Sequence, residues 1–199
     1  MLIGLLDYGV GNLGSMRSAL KQINSDFIDL TNAEGISKVD CLIIPGVGSF
    51  NTGVRNISQN NMYDEIVNFA KSGKRLLGVC LGMHLLATYG DEGGGAKGLN
   101  LIEGKIKKLE RSEHDRVPHV GWDLITNQIS QEENFVYFAH SYYFDVQSST
   151  DFAVTETYKW NDKRLPAVIQ KDNIFGVQFH PEKSHNFGLT MLSTLLTTK

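Results

Sequence analysis

Gly78-Val79-Cys80-Leu81-Gly82 joins a short apolar run, Arg75-Leu76-Leu77, to an apolar helical stretch through Met83-His84-Leu85-Leu86. One cysteine between two glycines at this spacing is a nucleophile-elbow pattern with sulfur in place of oxygen. The glycines admit the close strand-to-helix approach that a strained nucleophile needs, and a helix N-terminus there favours thiolate over thiol. The plain alternative is a small core residue between a buried strand and an apolar helix.

The same strand-then-helix order runs through the first half of the chain, which argues for parallel βαβ units. Leu2 to Leu6 reads as the first strand and Ser15 to Ile23 as the first helix, with Met16, Ala19, Leu20 and Ile23 on one face. Between them, Gly9-Val10-Gly11-Asn12-Leu13-Gly14 matches a dinucleotide-binding fingerprint, and Asp29, near the end of a second strand Asp26 to Leu30, stands near where a ribose-binding acid would. A nucleotide-binding module built on this loop is therefore a competing function, and a loop whose glycines only permit a tight turn is the other reading. Asp40 to Pro45 is a third strand running into Gly46-Val47-Gly48-Ser49-Phe50, whose glycines can expose backbone N–H groups to an oxyanion. The next helix spans about Met62 to Lys71 and ends at Gly73. Tyr89 to Gly98 is too glycine-rich for regular structure and reads as a surface loop.

Beyond that loop the pattern turns to β. Gly104 to Leu109, Val120 to Ile125, Asn134 to Phe138, Tyr142 to Val146, Phe152 to Tyr158, Ala167 to Gln170 and Ile174 to Phe179 read as short strands. A final helix follows from a Ser184 cap to about Thr197. A length of 199 residues with 41% hydrophobic content suits one domain spanning residues 1–199. The 19 basic and 22 acidic residues are mixed along the chain, so no footprint for nucleic acid or an anionic membrane stands out. No apolar run approaches the length of a membrane span, and the N-terminus lacks a basic lead, so the cytoplasm is the expected compartment. Cys41 and Cys80 suggest neither a disulfide framework nor a zinc site.

A nucleophilic thiolate needs a base, and the base needs an orienting acceptor. Of the six histidines, His114 sits in a charged stretch, His119 and His140 fall in separate β-type segments, and His185 begins the last helix. None of these has a carboxylate at a diagnostic spacing. His180-Pro181-Glu182 continues an apolar strand, and strand alternation can bring both side chains to one side, where Glu182 fixes the imidazole tautomer. A zinc reading fails on spacing, and Pro181 argues against helix there. Elbow, glycine loop and His-x-Glu together predict acyl transfer through a thioester.

Gly78-Val79-Cys80-Leu81-Gly82 with His180-Pro181-Glu182 resembles the triad (class I) glutamine amidotransferases. Further stretches narrow the resemblance to the glutaminase subunit of imidazole glycerol phosphate synthase, the HisH type: Asp7 to Leu13, Pro45 to Phe50, Val117 to Trp122, Tyr137 to Tyr143 and Gln178 to Ser184. The resemblance covers essentially the whole chain. It implies a flavodoxin-like class I amidotransferase fold, with a mostly parallel central sheet flanked by helices and additional antiparallel strands in the C-terminal half. Cys80, His180 and Glu182 would be the catalytic triad, and Val47, Gly48 and Leu81 would supply the oxyanion hole. Gly46, Gly48, His84, Ser141 and Tyr142 would bind L-glutamine. No cofactor or metal is implied. Ammonia would pass to a separate (β/α)₈ barrel synthase of the HisF type in a heterodimer, with Tyr8, Asn12, His119 and Lys183 at the docking surface. That turns the Gly9 to Gly14 loop into an interface element.

One residue departs from the pattern. The family usually carries glutamine four residues after the nucleophile, and this chain has His84. An imidazole can donate one hydrogen bond and accept another but cannot copy both ends of an amide. Relatives of this subunit also serve surface-polysaccharide pathways, where a sugar amidotransferase consumes the nitrogen, so the acceptor of the ammonia is a separate question from the glutaminase chemistry.

Overall fold

A computed structural model describes residues 1–113, 115–146 and 151–197; His114 lies outside them. In chain order the elements are β1 (Leu2–Leu6), α1 (Leu13–Gln22), β2 (Asp26–Leu30), β3 (Cys41–Ile44), α2 (Phe50–Gln59), α3 (Tyr63–Lys71), β4 (Arg75–Val79) and α4 (Leu81–Leu85). Then come β5 (Ala87–Gly90), β6 (Ala96–Lys97), β7 (Ile102–Lys108), β8 (His119–Asn127), β9 (Glu133–His140) and β10 (Tyr142–Asp145). The chain closes with β11 (Ala153–Trp160), β12 (Lys163–Lys171), β13 (Ile174–Val177) and α5 (His185–Thr197). Short 3₁₀ segments occupy Ala33–Lys38, Glu92–Gly94 and Pro181–Lys183.

The main sheet has nine strands in the order β2-β1-β3-β4-β13-β12-β11-β8-β9. From β2 to β13 neighbours run parallel, and from β13 to β9 they run antiparallel. This is the expected mostly parallel centre with an antiparallel C-terminal extension. Every residue of β3 is buried, and successive side chains feed opposite faces: Cys41 and Ile43 join one core, Leu42 and Ile44 the other. A strand covered on both faces has no polar side to show, which is why these strands read as unbroken apolar runs. Helices α1 and α5 cover one face through Met16, Leu20, Leu192 and Leu196, while α2, α3 and α4 cover the other through Phe50, Ile57, Ile66 and Leu85.

Three readings of the sequence are corrected. Helix α2 was not foreseen, because its core face of Phe50, Gly53 and Ile57 is diluted by polar residues. Tyr89 to Gly98 is not a free surface loop: β5 and β6 pair there, and together with β7 and β10 they form a four-stranded sheet in the order β10-β7-β5-β6. The loop's Glu92 accepts a 2.6 Å hydrogen bond from the Phe50 N–H at the start of α2, and Asn51 Nδ2 donates to the Gly93 carbonyl. Third, β13 stops at Val177 and does not continue through His180.

Candidate active site

β4 ends at Val79 and α4 begins at Leu81, so Cys80 alone makes the turn, at φ 53° and ψ −108°. That left-handed conformation is strained for a residue with a Cβ, and it persists because the surroundings leave no alternative. The Cys80 N–H donates to the Val177 carbonyl at 2.7 Å. On either side the backbones nearly touch: a Cβ on Gly82 would lie 1.8 Å from the Ile44 carbonyl oxygen, and one on Gly78 would lie 2.5 Å from the Gly82 oxygen. Glycine is required at both shoulders by the packing of β3, β4 and α4. The elbow read from the sequence is present.

The sulfur borders a cavity of about 200 Å³ lined by Val47, Gly48, Cys80, Leu81, His84, Glu92, Pro118, Val120, Ala139, His140, Ser141 and Tyr142. Gly48 sits at φ +116°, a conformation that favours glycine, with open space where a Cβ would point. Leu81 opens α4, so its N–H belongs to the first-turn amides that a helix leaves without an internal partner. Val47, Gly48 and Leu81, the residues expected to supply an oxyanion hole, all line this cavity.

His180 and Glu182 reach this site by a route the sequence reading did not anticipate. Strand alternation does not bring them together; Pro181 opens a 3₁₀ turn, and Nδ1 of His180 lies 2.8 Å from Oε1 of Glu182. Both side chains are almost fully buried. A closed ring of hydrogen bonds anchors the segment to β9: His180 N–H donates to the Tyr137 carbonyl, the Tyr137 N–H to Ser184 Oγ, and that hydroxyl to the His180 carbonyl at 2.7 Å. Ser184, read as a helix cap, is thus also a brace for the turn that carries His180 and Glu182. Gly188 is part of the same fit, since a Cβ there would lie 2.2 Å from the Pro181 oxygen.

Burial opposes a charge on His180, but the charge of the nearby Cys80 sulfur, followed by the hydrogen bond and charge of Glu182, outweighs it and raises its pKa to about 10. Nε2 of His180 is buried without a completed hydrogen bond. Catalytic pairs are often this loose before substrate binds. With Nδ1–H committed to Glu182, Nε2 is the atom left to exchange a proton with the sulfur or with a leaving group.

The remaining expected residues divide. Gly48, His84, Ser141 and Tyr142 line the cavity, whereas Gly46 lies beneath it, packed so that a Cβ would meet Tyr8 Oη at 2.5 Å and Leu81 Cβ at 2.8 Å. Nε2 of His84 lies 2.8 Å from Oε1 of Gln178. Burial lowers the His84 pKa to about 4, so the ring is neutral and Nε2 is the donor to that acceptor. Glu92 was missed: nothing in its glycine-rich context marks it, and only the fold brings its carboxylate to the cavity.

Of the residues expected to dock a partner, Asn12 is exposed and Lys183 is half-buried over the Tyr137 ring. Tyr8 is corrected: its ring is fully buried and its hydroxyl donates to the Pro45 carbonyl at 2.6 Å. His119 is corrected too, because it is buried against Phe138, Tyr158 and Trp160. Asp29 is bound by Nε of Arg17 through both oxygens, at 3.0 and 3.2 Å, so its carboxylate is engaged where a ribose-binding acid would be free.

Comparison with known proteins gives the family. The profile of the family "Glutamine amidotransferase class-I" matches residues 5–196, and the chain belongs to that family. It is 40% identical over 202 residues to the Bacillus velezensis protein named imidazole glycerol phosphate synthase subunit HisH, covering 96% of this chain and 94% of that one. It is 39% identical to the Prochlorococcus marinus subsp. pastoris protein of the same name, covering 96% and 95%. A crystal structure described as a glutamine amidotransferase superposes with a TM-score of 0.78 at 19% identity, covering 98% and 97%. A chain of PurLQS from Thermotoga maritima gives 0.74 at 16% identity with the same coverage. These last two likenesses show the fold.

Proposed function

We propose that this chain is the glutaminase subunit of an imidazole glycerol phosphate synthase. The observation that carries the reading is His180, bonded to Glu182 at Nδ1 and close enough to the strained Cys80 for the sulfur's charge to raise its pKa, with Cys80 lining a cavity that Val47, Gly48 and Leu81 also line. In the first step the Cys80 sulfur attacks the side-chain carbonyl carbon of L-glutamine, and backbone N–H groups of Gly48 and Leu81 hold the oxyanion. The C–N bond then breaks as His180 Nε2 passes its proton to the leaving nitrogen, releasing ammonia and a cysteinyl thioester. Water gives a proton back to His180 and attacks the thioester carbonyl; the S–C bond breaks, and glutamate leaves. Glu92 is suited to receive the α-ammonium group of the substrate, and Ser141 and Tyr142 to hold its carboxylate end.

In this reading the ammonia is channelled to a (β/α)₈ barrel synthase of the HisF type, with which the chain forms a heterodimer in the cytoplasm. The names of the relatives support that acceptor over a sugar amidotransferase. Val120 and Trp122, exposed at 58% and 44%, support a docking face on the outer side of β8, close to Lys183 and to the cavity mouth that Val120 borders. No helix among the described residues is long and apolar enough to cross a membrane. The test is co-expression with the barrel subunit of a histidine pathway. Glutamine-dependent formation of imidazole glycerol phosphate supports the proposal; a complex that forms only with a sugar amidotransferase pathway's barrel protein refutes its acceptor.

A further inference from the structure

His119 and His140 stand opposite each other in the β8–β9 register and bond ring to ring, with Nδ1 of His119 3.2 Å from Nε2 of His140. The other nitrogen of each ring is also engaged. Nδ1 of His140 lies 2.8 Å from the Tyr142 carbonyl oxygen, and Nε2 of His119 lies 3.1 Å from Oδ2 of Asp123. Both outer partners are acceptors only, a carbonyl and a carboxylate. Each of the three contacts therefore needs a proton, while two neutral imidazoles carry only two. The intact chain Asp123–His119–His140–Tyr142 holds one proton more than neutral rings supply.

The surroundings decide which ring is the cation. His140 is buried among His119, His84 and His180, and its burial first, then the charge of His119, push its pKa well below the usual value. His119 has the Asp123 carboxylate on its own strand. Its ring stacks on Phe138 of β9 at 4.5 Å and on Tyr158 of β11 at 5.6 Å, with Trp160 of β11 at 4.9 Å. Ring faces at these distances attract a cation. Asp123 is fixed in turn by the Leu124 N–H and borders a surface cleft with Asp115, Asp162 and Lys159.

The other end of this chain is the cavity wall. At His140 the backbone leaves the nine-stranded sheet, and at Tyr142 it enters the four-stranded one. The His140 Nδ1–H bridges that change of sheet, and the turn it closes presents Ala139, Ser141 and Tyr142 to the cavity, with the Ala139 oxygen 3.9 Å from Cys80 Sγ. We propose that His119 is a positioning residue for the glutamine pocket: an imidazolium, held by Asp123 and three aromatic rings, that fixes His140 as an Nε2 acceptor and so pins the Ala139-to-Tyr142 turn. The role at the pocket rests on the reading of the cavity as a glutaminase site; the protonation of His119 does not.

Asp123→Asn keeps the side chain's shape at a half-exposed position and removes its charge. Nitrogen-15 NMR of the histidine rings in the isolated chain gives the protonation, and glutamine hydrolysis by the complex gives the role. At neutral pH the account expects both nitrogens of His119 protonated and His140 in the Nδ1–H form. Asn at 123 removes the charge facing Nε2 of His119 at 3.1 Å, so the variant is expected to show His119 without its second ring proton at neutral pH. It also raises KM for glutamine by about tenfold, the loss of one buried hydrogen bond, with kcat changed less than about twofold. A neutral His119 in the wild type overturns the cationic chain. A variant whose His119 lacks the second ring proton while KM stays constant overturns the positioning role. Absence of glutamine turnover in the wild-type complex fails the glutaminase reading, and the pocket role with it, whichever way the titration falls.

Discussion

Only Pro181 separates His180 from Glu182, yet Nδ1 meets Oε1 at 2.8 Å, because the turn that starts at Pro181 brings the carboxylate back to the ring. Glu182 is thereby placed to fix the tautomer of His180, the role proposed for it. His180→Ala removes the proton carrier and is expected to lower kcat for glutamine by about 10³-fold or more, whereas Glu182→Gln, whose amide oxygen still accepts from Nδ1–H, costs about 10- to 100-fold. Steady-state hydrolysis in the complex measures both, and equal or reversed losses contradict the roles.

The pKa of about 10 at His180 carries a second prediction. A histidine raised above its unfolded value of 6.5 adds stability that is complete below that value and lost as pH climbs through about 10. Among the groups that raise it, the Cys80 sulfur outweighs Glu182, so Cys80→Ala should drop the His180 titration further than Glu182→Gln. Ring NMR across alkaline pH checks the order; a larger shift in the Glu182 variant would contradict it.

His84 behaves oppositely. Burial holds its pKa near 4, below the ordinary 6.5, so the unfolded chain takes up this proton first and stability falls as pH drops from about 6.5 to about 4. The shift corresponds to roughly 3 kcal/mol at its acid limit. His84→Gln, which puts an amide beside Gln178, should flatten that part of the acid limb in urea unfolding measured at several pH values. An unchanged slope would mean His84 is not buried neutral.

Gly82→Ala tests the elbow's packing. The added Cβ would lie 1.8 Å from the Ile44 carbonyl oxygen, a clash between two backbones that no side-chain rotation relieves. A loss of more than about 3 kcal/mol in unfolding free energy is expected, against near neutrality for an exposed helical substitution. A stable, fully folded variant would show that β3 and α4 are not locked together here.

The parallel half of the fold was legible because strands buried on both faces leave continuous apolar runs, and the elbow was legible because its glycines answer to local backbone contacts. Long-range features left little trace. Glu92 reaches the cavity only because its loop docks on α2, and Ser184 braces His180 through β9, a partner 47 residues away. Tyr8 and His119 were assigned to a docking face by resemblance, and packing overrode that: a Tyr8 hydroxyl bonded to Pro45 and a His119 ring set among aromatics are interior. The pair His180 and Glu182 was found, but for a strand geometry that Pro181 replaces with a turn.

The most direct test of the central claim is glutamine hydrolysis by the wild-type chain and by Cys80→Ala, each in complex with the barrel subunit. The account predicts glutamate release by the wild type and none above background in the variant, while the variant complex still forms its product from added ammonia. Full glutamine turnover without the Cys80 sulfur would contradict it.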